Sequence, residues 1–325
     1  MPRTLKNDFK LVKGDHNMTG LPRRINGFNE IKTRRPASRG AERWLGCPIK
    51  VLDHGFVYLV DYMGNDDSVV QAARVSYGEG TKKVSTNVGL IRYLRRHMHT
   101  TPFEMLEFKF HCKMPIFVAR QWVRHRTANI NEYSGRYSEM SDEFYLPDLS
   151  VIAKQSGGNR QGRDEELNPE QQARVRELLS ADYTQSYAHY REFLDMNLAR
   201  ELARIGLSVA NYTQWYWKID LHNLMHFLAL RLDEHAQWEI RQYAEAMARI
   251  LKDAVPVCWK AFEDYQLNAI RFSGPEHKML RDNRWPMSRE DAYRMALTVL
   301  NQNQRETNEF LDKLYDLGFI LSSTG

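Results

Sequence analysis

An α+β fold, an antiparallel sheet packed with several long helices, is predicted for this 325-residue chain on three observations. Strand signals come early and helix signals late, without the βαβ alternation of a doubly wound sheet. Residues 104–114 alternate: Leu106, Phe108, Phe110, Cys112 and Met114 are apolar, while Glu107, Lys109, His111 and Lys113 are polar. One dry face and one wet face are what an antiparallel sheet over a core requires. There is also no G-x-G-x-x-G fingerprint and no Walker loop, so a nucleotide would have to be held by side chains and not by a glycine cradle.

Taken in order, residues 1–46 are rich in Lys, Arg, Asn and Gly without any period, and are expected to be an extension that is flexible or wraps a partner subunit. Residues 47–52 and the run Phe56-Val57-Tyr58-Leu59-Val60, bounded by His54-Gly55 and Gly64-Asn65, predict a hairpin. Asp66 and Asp67 can cap a helix through Val69, Ala72, Ala73 and Val75, because their oxygens satisfy its first free amides. A second helix follows over 88–97. Pro115 ends the alternating strand where a helix can begin; 116–126 reads as that helix, giving way to a polar loop through Asn129, Asn131 and Glu132. A Gly- and Arg-rich loop over 156–164, a candidate gate, precedes Asn168-Pro169, an N-cap with proline in the first turn. The long helix beyond carries Val175, Leu178, Tyr183, Tyr187, Tyr190 and Leu194 on one apolar stripe. Further helices are expected over 200–207, 221–233 and 235–252. Past Phe262 the pattern weakens, although Ser288 with Asp291 can cap one more helix through Leu300. The expected domains are a basic extension (1–46), a body (47–262) and a C-terminal helical extension (263–325).

With 42% hydrophobic residues the chain can bury a sizeable core, which excludes disorder throughout. Apolar runs such as 114–119 fall far short of the roughly 20 residues of a membrane span, and no secretory h-region follows the N-terminus. A cytoplasmic protein without a membrane partner is expected. Cys47, Cys112 and Cys258 lie far apart with no C-x-x-C, and are expected to be buried thiols. A net charge of +5 and a pI near 9.0 raise a nucleic-acid reading. The location of the charge argues against it, because residues 1–45 hold 11 Lys/Arg and 4 Asp/Glu, a net of +7, which leaves −2 for the rest. A basic tail, not a basic body, sets the total.

One segment carries the chemistry. Between Gln121 and Ser138 lie Arg124, His125, Arg126 and Arg136 with Asn129, Asn131, Glu132 and Ser134. Gln121 precedes Arg124 by three and His125 by four, so the three share a helix face. Guanidinium forks match phosphate oxygens, while amides and hydroxyls read a base edge or a sugar. A solvated, salt-bridged helix is the competing reading, which the interleaved Trp122 and Val123 and the absence of Lys disfavour. His222 and His226 have the spacing of H-E-x-x-H, but Asn223 stands where the general-base Glu belongs. A zinc-dependent hydrolase is therefore kept only as an alternative, beside a nucleic-acid-binding protein acting through the basic tail. Trp215, Tyr216 and Trp217 are expected to pack a core or a subunit interface.

Arg124-His125-Arg126, seven residues and then Ser134 form an R-H-R-x7-S signature. His99-Thr100-Thr101-Pro102-Phe103-Glu104 precedes it; Leu221-His222-Asn223-Leu224-Met225-His226-Phe227, Arg231 and His235-Ala236-Gln237-Trp238-Glu239 follow. On these residues the sequence resembles the flavin-dependent thymidylate synthases, the ThyX family, over about residues 48–262. The resemblance implies a ThyX-like catalytic domain that methylates dUMP to dTMP, with methylene-tetrahydrofolate as carbon source, FAD as cofactor and NADPH as reductant. It also implies a homotetramer with active sites shared between subunits. Nucleotide contacts are implied at Gln121, Trp122, Val123 and Arg124, at Glu132, Tyr133, Ser134, Gly135 and Arg136, and at Arg204 and Arg231. Flavin contacts are implied at His99 and Thr101, at Arg124, His125, Arg126 and Glu132, and at Asp220, Leu221, His222 and His226. The substrates are small molecules, with no resident metal and no nucleic-acid polymer expected. Carbon 5 of uracil is a poor nucleophile, and a desolvated Arg231 can stabilise the charge its reaction develops; the competing reading pairs Arg231 with Asp233 or Glu234. Ser134, a tempting covalent nucleophile, has no obvious base beyond Glu132 and is expected to hydrogen-bond the nucleotide.

Overall fold

The structure, a computed structural model, describes residues 35–75, 86–157, 162–283 and 285–320. It falls into two compact units with the boundary after Phe262. The first opens with α1 (Arg39–Trp44), capped by Ser38, and the hairpin of β1 (Ile49–Val51) and β2 (Gly55–Met63). Helices α2 (Asp66–Arg74) and α3 (Asn87–Arg96) follow, then a single 3-10 turn and β3 (Glu107–Pro115). Next come α4 (Ile116–Trp122), β4 (Asn129–Glu132) and a small separate hairpin of β5 (Ala153–Gln155) and β6 (Arg163–Glu166). The long α5 (Pro169–Asp195) and short α6 (Arg200–Ala203) lead to β7 (Tyr212–Asp220). Helices α7 (Leu221–Arg231), α8 (Trp238–Ala254) and α9 (Pro256–Phe262) complete the unit.

The main sheet has the order β1-β2-β3-β7-β4, antiparallel at every pairing. Its centre is β3 against β7, and both alternate. In β7, Thr213, Trp215, Trp217 and Ile219 are buried while Tyr216 and Lys218 face outward, so of the three aromatics expected to pack a core or an interface Trp215 and Trp217 pack the core as one strand face and Tyr216 lies on the other. Trp122 comes up from α4 into this face. Its fully buried indole lies 5.4 and 5.2 Å from the rings of Trp215 and Trp217 and is stacked on Phe227 at 5.0 Å. On α8, Ile240, Tyr243, Ala244, Met247 and Leu251 recur at helical spacing to form the buried stripe that covers the sheet.

The second unit holds α10 (Gly274–Asp282), α11 (Arg289–Val299) and α12 (Gln304–Asp316) around its own core of Met279, Ala292, Ala296, Phe310, Leu311 and Leu314. Ser288 caps α11 as expected, accepting from the Asp291 amide at 3.1 Å.

Several local expectations are corrected. The helix expected over 116–126 stops at Trp122, where the last turn tightens to i→i−3 bonds, and the expected polar loop pairs instead as β4 with β7. Asn65, not Asp66 or Asp67, caps α2; the Asp66 carboxylate accepts instead from the Val257 and Cys258 amides at the start of α9, at 3.1 and 2.8 Å. Cys112 and Cys258 are buried but Cys47 is exposed. Residues 39–44, read with the extension, form a helix whose Gly40 lies so close to α8 that an added Cβ would stand 1.8 Å from the Asp253 carbonyl oxygen. The Trp44 indole N–H donates to the Asp253 carboxylate on that helix at 2.9 Å. Residues 1–34, most of the expected extension, and 158–161, within the expected gate, lie outside the described residues.

Candidate active site

Where β7 ends, Asp220 caps α7 by accepting from the Asn223 amide at 2.9 Å. The helix then presents Asn223, His226, Leu230 and Arg231 along one stripe, at i, i+3, i+7 and i+8, while Leu224, Phe227 and Leu228 enter the core. Facing the stripe is the turn after α4, with Arg124, His125, Arg126 and Thr127. Together with Ile219 these residues wall a cleft of about 340 Å³. Three guanidiniums and no carboxylate line it.

Arg231 sits in the last turn of α7 and donates from Nε to Nε2 of His125 at 3.1 Å. Burial, then the charges of Arg231 and His226, hold the His125 imidazole down at about 4, so it is neutral at physiological pH and able to accept that bond. With Nε engaged, both terminal amino groups of the guanidinium stay available to an electron-rich ligand. The competing pairing with Asp233 or Glu234 is not what forms: Arg231 turns its Nε to His125, and Asp233 instead takes the Nδ1 of His235 at 2.9 Å. One turn deeper, burial and then Arg95 push the His222 imidazole down, and its buried Nδ1 has no hydrogen-bond partner.

Other expected residues fall into separate groups. Ser134, Gly135 and Arg136 form a tight turn in which a Cβ on Gly135 would lie 2.7 Å from Met140 Sδ and 3.2 Å from Arg204 Cδ. Close packing at that glycine brings Arg204 onto the Ser134 loop. The Ser134 hydroxyl accepts from the Arg136 amide at 3.3 Å, and Arg136 Nε lies 3.3 Å from the Glu201 carboxylate. The Glu132 carboxylate accepts from the Thr213 hydroxyl at 2.7 Å and Tyr133 continues the pairing with β7, so neither is placed as a base for Ser134. His99 and Thr101 are exposed beyond α3, His99 stacked on Tyr93 at 5.9 Å. None of these lines the cleft, so the chain presents at least two separate groups of candidate residues.

Trp122 and Leu221, both expected as contacts, are 0% exposed, and their side chains lie in the core of this chain. Val123 is half-buried, and Gln121 donates to Gln237. Thr127, Asn223 and Leu230 line the cleft without having been singled out as contacts; the helical stripe through His226 and Arg231 was the signal for Asn223 and Leu230. Among the described residues no group of three or more His, Cys, Asp or Glu side chains could hold a metal, so the His222/His226 zinc reading finds no third ligand. None of their helices is long and apolar enough to cross a membrane.

Residues 58–257 match the family described as thymidylate synthase complementing protein. The flavin-dependent thymidylate synthase of Gluconobacter oxydans (strain 621H) is 58% identical over 252 residues, 77% of this chain and 83% of that one. That of Ruegeria pomeroyi (strain ATCC 700808 / DSM 15171 / DSS-3) is 56% identical over 253 residues, 77% and 84% of the two chains. Among solved structures, the UMP/dUMP methylase PolB of Streptomyces cacaoi, bound with 5-Br UMP, superposes with a TM-score of 0.62 at 34% identity, over 67% of this chain and 98% of that one. The family match spans both walls of the arginine-lined cleft and the strands that carry them, and with these relatives it shows that the chain belongs to the flavin-dependent thymidylate synthases.

Proposed function

We propose that the chain methylates carbon 5 of dUMP to give dTMP, taking the carbon from methylene-tetrahydrofolate and using FAD reduced by NADPH. The observation that carries this reading is the cleft with Arg124, Arg126 and Arg231, neutral His125 and no carboxylate, a lining made for phosphate and for electron-rich ring carbonyls. The same donor set of guanidiniums and imidazoles fits the phosphates and ring carbonyls of a flavin nucleotide. Arg124, Arg126, His222 and His226 would hold the flavin, and His99 and Thr101 would join them from outside the cleft. When bound, FAD supplies the reducing equivalents that turn a methylene into a methyl group.

The chain's own work is binding and charge stabilisation. Arg231, held by His125, has its terminal amino groups free to bind a uracil ring ionised at nitrogen 3, and the negative charge so held on the ring is what makes carbon 5 nucleophilic. Ser134, Arg136 and Arg204 would bind the nucleotide, Ser134 as a hydrogen-bonding group because no base adjoins it. A cleft of about 340 Å³ is at the small end for ligand sites. A flavin dinucleotide, a mononucleotide and a folate need more walls than one protomer's cleft provides. A second copy supplies them in the homotetramer proposed here, a cytoplasmic enzyme. Purified protein should be yellow, lose its flavin absorbance on adding NADPH, and release dTMP from dUMP and methylene-tetrahydrofolate; colourless protein without dTMP formation refutes the reading. Within it, Arg231→Ala should lower kcat by about 10²–10³-fold with flavin retained, whereas Ser134→Ala should weaken dUMP binding without abolishing turnover.

A further inference from the structure

We infer that Arg163 and Glu239 are positioning residues for the nucleotide site, acting through Gln237 on Gln121. The inference rests on the reading of Gln121 as a nucleotide contact. Glu239 lies in the first turn of α8, only 2% exposed, yet its carboxylate is fully engaged. Nη2 of Arg163 sits astride both oxygens at 2.5 and 2.7 Å, the Tyr145 hydroxyl donates at 3.1 Å, and Nε2 of Gln237 donates at 2.9 Å. Nη1 of Arg163 donates to the Val151 carbonyl at 3.1 Å, so the ion pair also ties β6 to the body.

An amide side chain can present either end to a neighbour, and only its hydrogen bonds decide which. An ionised carboxylate accepts and cannot donate, so the end of Gln237 that faces Glu239 is its NH2. Its carbonyl is thereby turned toward Gln121, whose Nε2 donates to it. Gln121 is thus oriented from an ion two side chains away, and its own carbonyl and remaining N–H are left for a ligand. Because the chain begins at a charge-assisted bond it is stronger than one between neutral amides. Arg163 belongs to the hairpin whose tip was read as a gate, and through this route the hairpin acts on substrate without touching it.

The test is steady-state kinetics of the holoenzyme with dUMP varied. Gln121→Ala and Arg163→Ala should each raise KM for dUMP about tenfold with kcat changed by less than about twofold. The double variant should be no worse than Gln121→Ala alone, since both act through one side chain. Arg163→Lys should restore most of the loss. Lys154→Ala, which removes the exposed ion pair to Glu165 at 3.1 Å in the same hairpin, should match the unsubstituted enzyme. Arg163→Ala with an unchanged KM, or additive effects in the double variant, overturns the inference. If Gln121→Ala leaves KM unchanged, the reading of Gln121 as a nucleotide contact fails, and the inference with it. Should Arg163→Ala not fold, Glu239→Gln carries the same test, because a neutral amide can present either end to Gln237. A raised KM with flavin absorbance retained supports the relay, and an unchanged KM overturns it.

Discussion

His125 accepts the Nε–H of Arg231, so protonating the imidazole and releasing the guanidinium are one equilibrium. A histidine at about 4 in the folded chain against 6.5 as its ordinary value resists its proton, chiefly through burial, with Arg231 and His226 adding repulsion. Between those two values the unfolded chain takes up a proton that the folded chain refuses. The contribution of a neutral His125 is therefore complete above about pH 6.5 and is lost as pH falls toward 4. Urea unfolding midpoints should drop over that window, and His125→Asn, which cannot titrate, should flatten this part of the profile. An NMR titration of the His125 ring centred near 6.5 would show instead that the imidazole is ordinarily solvated. The same neutral ring keeps Arg231 aligned at the pH where dUMP is turned over, so the residue most exposed to acid is one the chemistry depends on.

At the scale of elements, what could be read from the sequence was what depends on neighbours in the chain. The alternation of Leu106 to Met114 forms β3, the Asn168-Pro169 start opens α5, and Ser288 with Asp291 opens α11, because strand faces and caps are set within a few residues. The strand β4 was not legible: Asn129 to Glu132 are all exposed, and only pairing with Lys218 to Trp215, more than 80 residues on, makes them a strand. Of the site, the R-H-R run and Arg231 were legible as a motif. The Arg163–Glu239 pair was not, because those side chains meet only in the fold. The packing of α1 against α8 was hidden for a similar reason. Nothing near Gly40 in sequence shows that α8 passes over it, yet a Cβ there would stand 1.8 Å from the Asp253 backbone oxygen. Gly40→Ala must therefore push α1 off α8, weakening the Trp44 bond to Asp253 as well. A loss of about 1–3 kcal/mol in urea unfolding is expected, with flavin binding retained; an unchanged midpoint would show that α1 is not packed there.

For the whole molecule, the decisive question is whether the two groups of candidate residues meet within one copy or between copies. Arg231, His125 and Arg124 wall the cleft, whereas Arg204, Ser134 and Arg136 gather around Gly135 outside it. If both serve one dUMP, the second group must be supplied to the cleft by another subunit of the proposed tetramer. The consequence can be measured without a structure of the assembly. Arg231→Ala and Arg204→Ala chains, each assembled alone, lack one half of every site and should both be severely impaired. Mixed in equal amounts and allowed to exchange subunits, they form some sites that take an intact Arg204 from one chain and an intact Arg231 from the other. For random pairing about a quarter of the sites are complete, so activity should rise to about a quarter of that of the unsubstituted enzyme, far above either parent. Were both arginines contributed by the same subunit, no mixture could hold a complete site, and the activity would stay at the parents' mean. Sedimentation of the mixture, run alongside, should show a single tetrameric species; full activity in a monomeric fraction of the unsubstituted enzyme would place the whole site within one chain.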